Sequence, residues 1–261
     1  SVKWLENFSF SKAILLSAAL VFFFFLFRYS LNLAIPFVVN VFPVTWEQEI
    51  GENTYNAMRK TIFQKSGLSR SRIERLREKA TDLARINGFG SPQIIFHDSD
   101  LIGANALAFP GGPIVITDDL VILLKRDELI LGVVAHEFAH IQERHSLQQI
   151  VEVVGIAAVA SLVLGSDDTF IEEVSVVGIN LWANKNSRGF EKKADLLAQK
   201  YLKKAGFAKS TIAIAIKKLT EHYCSKTAVQ KVQHCIEQTD SGWLSTHPSG
   251  AERLEYLFHS H

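Results

Sequence analysis

The hydrophobic pattern divides the chain into three parts: an unbroken apolar run, a proline-broken apolar stretch, and a long body of helical and strand periods. Ala13 to Phe27 is almost wholly apolar and ends Val21-Phe22-Phe23-Phe24-Phe25-Leu26-Phe27. Four consecutive phenylalanines would crowd every face of a soluble helix, so a core helix fits poorly. No small-residue cleavage site follows, since Phe27-Arg28-Tyr29 comes next, which argues against a signal peptide. Alone, the run is shorter than the ~20 residues a membrane helix needs. Extension past Lys12, or past Arg28 and Tyr29, supplies the rest. Both cations can snorkel to headgroups, and Trp4 and Tyr29 suit the interfaces. The run therefore predicts a membrane helix. Leu31 to Val44 is apolar again but interrupted by Pro36 and Pro43, and predicts a half-buried interfacial segment, with Trp46 and Glu47 marking the exit to water. Lipid contact is expected through residues 8–44. The expected division is an anchor over 1–45 and a folded domain over 46–261.

In the body, Thr54 to Lys65 and Ser71 to Ile86 read as amphipathic helices, the second capped by Ser69 or Ser71 and ended by Asn87-Gly88. Pro92 to His97 reads as a strand. After a turn at Asp98-Ser99-Asp100 come Ala104 to Phe109, the tight Pro110-Gly111-Gly112-Pro113 connection, and Ile114 to Thr117, a strand pair. Asp118-Asp119 can cap a short helix to Lys125, and Asp127 a longer one to about His145. Gln149 to Leu164 is apolar; at this length, and followed by Asp167-Asp168, it reads as a core helix rather than a membrane entry. Ile171 to Trp182 predicts a further helix leading to the Glu191 helix, which Gly206 ends. Ser210 caps a helix to about Tyr223, another covers the second cysteine, and Ser249 to Phe258 forms the last.

Charge excludes one class. Lys and Arg number 28 against 27 Asp and Glu over 261 residues, so nothing suggests a nucleic-acid partner. The basic stretch from Arg70 to Lys79 is interspersed with Glu74 and Glu78 and reads as a solvated helix face. The two cysteines, Cys224 and Cys235, form no C-x-x-C pair. They allow a disulfide or two free thiols, and with His222 and His234 an irregularly spaced second metal site.

The chemistry lies in Val134-Ala135-His136-Glu137-Phe138-Ala139-His140-Ile141, an H-E-x-x-H inside an apolar, helix-forming run. His136 and His140 are one turn apart and point the same way, so two imidazoles can grip one ion. Glu137 lies about 100° round, where it can take a proton from a water without being a ligand. That is the spacing of a zinc hydrolase. The competing account is two core histidines beside a solvated glutamate, but Leu129, Ile130, Leu131 and Val133 make the helix a buried one, a poor place for idle polar groups. A third ligand is required, and Glu191 supplies it in Arg188-Gly189-Phe190-Glu191-Lys192-Lys193-Ala194-Asp195. Asp195, one turn on, can accept the free N–H of a ligand histidine. The alternative makes both acids surface partners of Arg188, Lys192 or Lys193. His145, nine positions after His136, falls about 180° round the helix, on the wrong face for a ligand. The strand pair before this helix offers an edge on which an extended peptide can lie, with Asn105 and Ala106 facing it and small neighbours leaving room; an ordinary hairpin is the plainer account.

Together these pieces resemble the membrane-associated zinc metallopeptidases that include HtpX, BepA and the CAAX prenyl endopeptidases. The matching residues are His136-Glu137-Phe138-Ala139-His140, Glu191 to Asp195, Asn105-Ala106 with Pro110-Gly111-Gly112, and Thr246-His247-Pro248 with Arg253, covering about residue 91 to the end. The resemblance implies a gluzincin-type peptidase with His136, His140 and Glu191 on one Zn2+, Glu137 as base, and His247 and Arg253 near the substrate carbonyl. The expected architecture is α+β, mostly helical: a zincin-like domain with a small antiparallel sheet beside the H-E-x-x-H helix, preceded by a membrane helix.

The expected function is a membrane-anchored zinc endopeptidase acting on polypeptides in envelope or membrane protein quality control. The alternative is a tethered chaperone or assembly factor whose groove binds rather than cuts. Lys3 and Lys12 ahead of the apolar run and Arg28 behind it place the N-terminus in the cytosol and the catalytic domain outside it, in the periplasm of a bacterium.

Overall fold

The computed structural model describes residues 10–155, 187–226, 243–247 and 251–259, with backbone only at 10–12, 27, 28, 31, 32, 225, 226, 251, 252 and 259. The expected helix Ile171 to Trp182, the far part of Gln149 to Leu164, and Cys235, His234, Pro248 and Ser249 lie outside the described residues.

The H-E-x-x-H helix, α5 (Asp127–Gln142), is the hub: every residue from Leu129 to His140 is buried. Around it pack α3 (Arg70–Asn87), α4 (Asp118–Leu124), α7 (Arg188–Lys204) and α8 (Thr211–Lys226), with a four-stranded sheet on another side. Val134 and Phe138 share one core with Leu76 and Leu83 of α3, Leu202 of α7 and Ile216 of α8. Ala194 and Ala198 of α7 are fully buried in that core, and their short side chains let α7 approach α5 closely.

Local signals explain several helix ends. Ser69 accepts a hydrogen bond from Arg72 N to cap α3, and Gly88 closes it at φ 86°, ψ 20°. Ser187 accepts from Phe190 N to cap α7. Thr117, rather than Asp118-Asp119, caps α4 by accepting from Leu120 N. Asp127 does not cap α5; its carboxylate is held by Arg72, Arg75 and Lys79 of α3, which ties that helix to the start of α5.

The sheet is mixed, not antiparallel. Its strands are β1 (Gln64–Lys65), β2 (Ile94–Asp98), β3 (Ala106–Ala108) and β4 (Ile114–Thr117), in the order β1-β2-β4-β3. β1 and β2 are antiparallel, as are β3 and β4, but β2 and β4 run parallel with Ile94 opposite Ile114. The cause is the connection: the chain leaves β2, crosses to the far edge to make β3, then turns back between them. Gln64 and Lys65 therefore pair as a strand and do not extend a helix.

The N-terminal third departs further from expectation. α1 runs Phe10–Val41 with Pro36 inside it, so that proline does not break the helix. The helix continues because Ile35, Val39 and Phe42 bury with Ile50 of α2 (Val44–Thr61) and with Leu147, Ile150 and Val151 of α6 (His145–Val154). α2 starts directly after Pro43, and Glu47 is buried where an exit to water was expected. Among the described residues no helix is long and apolar enough to cross a membrane.

α5 also stops short of His145. Arg144 takes a left-handed conformation, φ 53° and ψ 35°, and a new helix begins at His145. That conformation costs a non-glycine residue roughly 1–2 kcal/mol. The Arg144 guanidinium offsets it by bonding Glu47 Oε2 at 2.7 Å, Phe42 O at 3.0 Å, and Val39 O.

Candidate metal centre

Two helices and the C-terminal segment meet at one buried cluster. α5 presents His136 and His140 from the same face, their Nε2 atoms 2.9 Å apart. α7 presents Glu191, whose Oε2 is 3.4 Å from His136 Nε2 and whose Oε1 is 3.3 Å from His140 Nε2. His247 brings its Nδ1 to 3.0 Å from Glu191 Oε1 and 3.3 Å from His136 Nε2. One donor atom from each of these four residues lies within 4.8 Å of the others, and all four are buried. Two imidazole nitrogens and a carboxylate oxygen, with a third imidazole beside them and no lysine or thiol, are a donor set suited to zinc. The residues present therefore fit one such ion.

Asp195 stands one turn along α7 from Glu191, and its Oδ1 lies 2.9 Å from His136 Nδ1. Arg253, on the last helix α9 (Ala251–His259), grips the same carboxylate through Nε and Nη2 at 2.7 and 2.8 Å. Its Nη1 is 2.8 Å from Glu191 Oε2 and donates to His247 O at 3.2 Å. Arg253 is thus placed as an anchor of the acids and of the His247 backbone. The Tyr256 hydroxyl donates to Asp195 Oδ2.

Glu137 projects beside the cluster. Its Oε1 accepts from the Trp243 indole N–H at 3.2 Å and lies 3.5 Å from His247 Nε2. Trp243, in a one-turn helix (Trp243–Thr246), stacks on His247 at 4.5 Å, and its backbone N–H donates to Ala104 O at 2.9 Å. Asn105 and Ala106 are fully buried next to the β3 edge; Asn105 Oδ1 accepts from Ala106 N, while its Nδ2 has no hydrogen-bond partner.

The electrostatics follow from burial among opposite charges. Burial opposes a charge on His136, but Glu191 and Asp195 outweigh it and raise the ring to about 9. Burial opposes ionisation of Asp195 too, yet Arg253 and His136 hold it down at about 2. Glu191 lies well below the usual carboxylate range, because His247, Arg253 and His136 overcome its burial. Glu137 goes the other way: burial raises it, and His140, His136 and the Trp243 bond recover only part. Burial, then His140, pushes His145 down to about 3.

The structure brings together His136, Glu137, His140, Glu191, Asp195, His247 and Arg253. Trp243 and Tyr256 join them without a signal read from the sequence, and His145, rejected as a ligand, stands beside the cluster. His145 is no part of the donor cluster, but the helix break lets its Nδ1 reach 2.9 Å from His140 Nδ1. No glycine flags that break. Trp243 could have been found from its place one helical turn before His247, and Tyr256 from sharing a face of α9 with Arg253. Cys224 is disulfide-bonded, the first of the alternatives read for the cysteines.

Two imidazoles and a carboxylic acid on one helix, faced by a carboxylate from a second helix, define a zinc-dependent metallopeptidase. The chain belongs to peptidase family M48, whose family model matches residues 70–260. It is accordingly a zinc metalloprotease acting on polypeptides. No curated protein matches the chain.

Proposed function

We propose that this is a membrane-anchored zinc endopeptidase of envelope or membrane protein quality control, in which His136, His140 and Glu191 hold the metal and Glu137 is the general base. The facing of Glu191 against the two Nε2 atoms carries this reading. Zinc, when bound, supplies Lewis acidity, polarising a carbonyl and making a water easier to deprotonate near neutral pH. Glu137 takes the proton from the attacking water on its carboxylate and returns it to the leaving amine. Its raised basicity suits that work. Trp243 Nε1 orients the carboxylate through Oε1. Asp195 holds the His136 ring in place, and Arg253 holds Asp195. His247 has an N–H to offer a developing oxyanion, and the unpaired Asn105 Nδ2 an N–H for a substrate carbonyl.

The anchor reading is supported by α1, where Leu15, Leu20 and Phe22 to Phe25 are each more than half exposed. A helix that presents such side chains to water lacks a partner that lipid would supply. The lysines ahead of it favour a catalytic domain outside the cytosol.

The test uses the whole chain. Casein cleavage should stop with a chelator and resume with zinc. Glu137→Gln should keep one zinc per chain yet lose cleavage, and His140→Ala should lose the zinc. Full cleavage by Glu137→Gln would refute the assignment, and zinc-loaded protein that binds casein without cutting it would favour the chaperone instead. Extraction of the chain from membranes by carbonate alone would count against the anchor, and protease accessibility in intact cells reports the side.

A further inference from the structure

His145 lies next to the metal centre without joining it, and no motif assigns it a task. Its ring is buried, stacked at 4.3 Å and 13° on Phe190, the neighbour of Glu191, with Nδ1 2.9 Å from His140 Nδ1. Two ring nitrogens at that distance share one proton: one donates and the other accepts. His140 directs its Nε2 at the donor cluster, so the proton belongs on His140 Nδ1 whenever Nε2 serves as a ligand. His145 Nδ1 is then the acceptor. Asp195 Oδ1 stands 2.9 Å from His136 Nδ1, whereas among the described residues no carboxylate faces His140 Nδ1, which meets His145 instead.

We propose that His145 is the positioning residue for His140, accepting its Nδ1–H and so fixing the tautomer and aim of the Nε2 lone pair. Arg144 makes the contact possible. Its left-handed step turns the chain so that His145 comes under His140 instead of round to the far face of a continuing helix. The guanidinium that stabilises this step is bonded to the junction of α1 and α2, so the alignment of His140 is tied to the seating of the N-terminal helix.

The inference rests on His140 being a ligand, and the experiment separates the two. Zinc dissociation constants are measured on the full chain by competition with a chromophoric chelator. His140→Ala tests the ligand reading alone. His145→Phe keeps the stack on Phe190 and removes the acceptor; His145→Asn keeps an acceptor at the Nδ1 position and removes the stack. The expected result is zinc binding weakened about 10- to 100-fold in His145→Phe and by less than about 3-fold in His145→Asn. A side chain that merely filled space would give the reverse order, and that order, or near-native zinc binding in both variants, overturns the proposal. In the unaltered zinc-loaded protein, a 15N–15N coupling between the two Nδ1 atoms is expected. Its absence, with His140 still bound to zinc, overturns the proposal without any variant having to fold.

Discussion

Arg253 closes on the Asp195 carboxylate through two hydrogen bonds, Nε to Oδ2 at 2.7 Å and Nη2 to Oδ1 at 2.8 Å, with both side chains buried. Asp195 in turn faces His136 Nδ1, so a last-helix arginine steadies a histidine on the central helix. Removing one member of a buried pair leaves the other uncompensated. Arg253→Met should therefore destabilise the fold by about 3–5 kcal/mol in denaturant titrations. Arg253→Lys keeps the charge but not the planar fork, and should recover only part of the loss.

The same pair predicts how stability responds to acid. Asp195 has a folded pKa of about 2, below its unfolded value of ~3.9. A depressed carboxylate contributes its stability above the unfolded value and loses it as pH falls through the folded one. The contribution is about 2–3 kcal/mol, complete above pH ~5 and lost progressively toward pH ~2. Asp195→Asn should abolish that part of the pH dependence, so unfolding free energies of the two proteins should converge as the pH is lowered. Parallel curves down to pH ~2 would show that Asp195 is not depressed.

Zinc uptake should release a proton at neutral pH. Without metal, His136 is raised to about 9, so its ring is charged at pH ~7, and a ligand imidazole must be neutral. Apparent zinc affinity should climb roughly tenfold per pH unit and flatten above about 9. Calorimetry in two buffers of different ionisation enthalpy measures the proton count directly. A count of zero at pH ~7 would mean His136 is already neutral.

Trp243→Phe tests how Glu137 is tuned. The indole N–H lowers the pKa of a carboxylate that burial has raised, so deleting it should raise Glu137 further. A general base works only when deprotonated, and the acid limb of kcat/KM should move to higher pH, with zinc retained. An unmoved limb would remove Glu137, or its bond to Trp243, from that ionisation.

What could be read from the sequence is what repeats locally. The helical period places His136 with His140 and Glu191 with Asp195, and burial of the central helix follows from its unbroken apolar residues. What could not be read depends on contacts distant in sequence. Pro36 looked like a break because the packing of Ile35 and Val39 against α6 is invisible in the local pattern. His145 looked misdirected because Arg144 carries no mark of a left-handed residue; its conformation is set by Glu47 and by the carbonyls of Val39 and Phe42. The parallel pairing of β2 with β4 arises from the route of the chain, which strand propensity does not encode. Asp127 had the composition of a cap and serves instead as the meeting point of three cations.

One glycine decides how α2 meets the sheet. A Cβ on Gly51 would lie 2.0 Å from Pro110 O, a backbone atom in the connection between β3 and β4. No rotamer change can relieve that clash, because neither group is the end of a flexible side chain. Either α2 or the Pro110-Gly111-Gly112 turn must move, and that turn sets the course of β3 beside α5. Gly51→Ala would gain about 1 kcal/mol from helix propensity in an open site, so a net loss isolates the packing effect. Overpacking of this kind costs typically 1–3 kcal/mol and occasionally more, and a backbone obstacle belongs at the upper end. The expected outcome is a lower denaturation midpoint, with casein turnover reduced more than zinc binding, because β3 shifts while the donor cluster on α5 and α7 does not. A stabilised Gly51→Ala protein would mean that α2 stands off from Pro110 in solution.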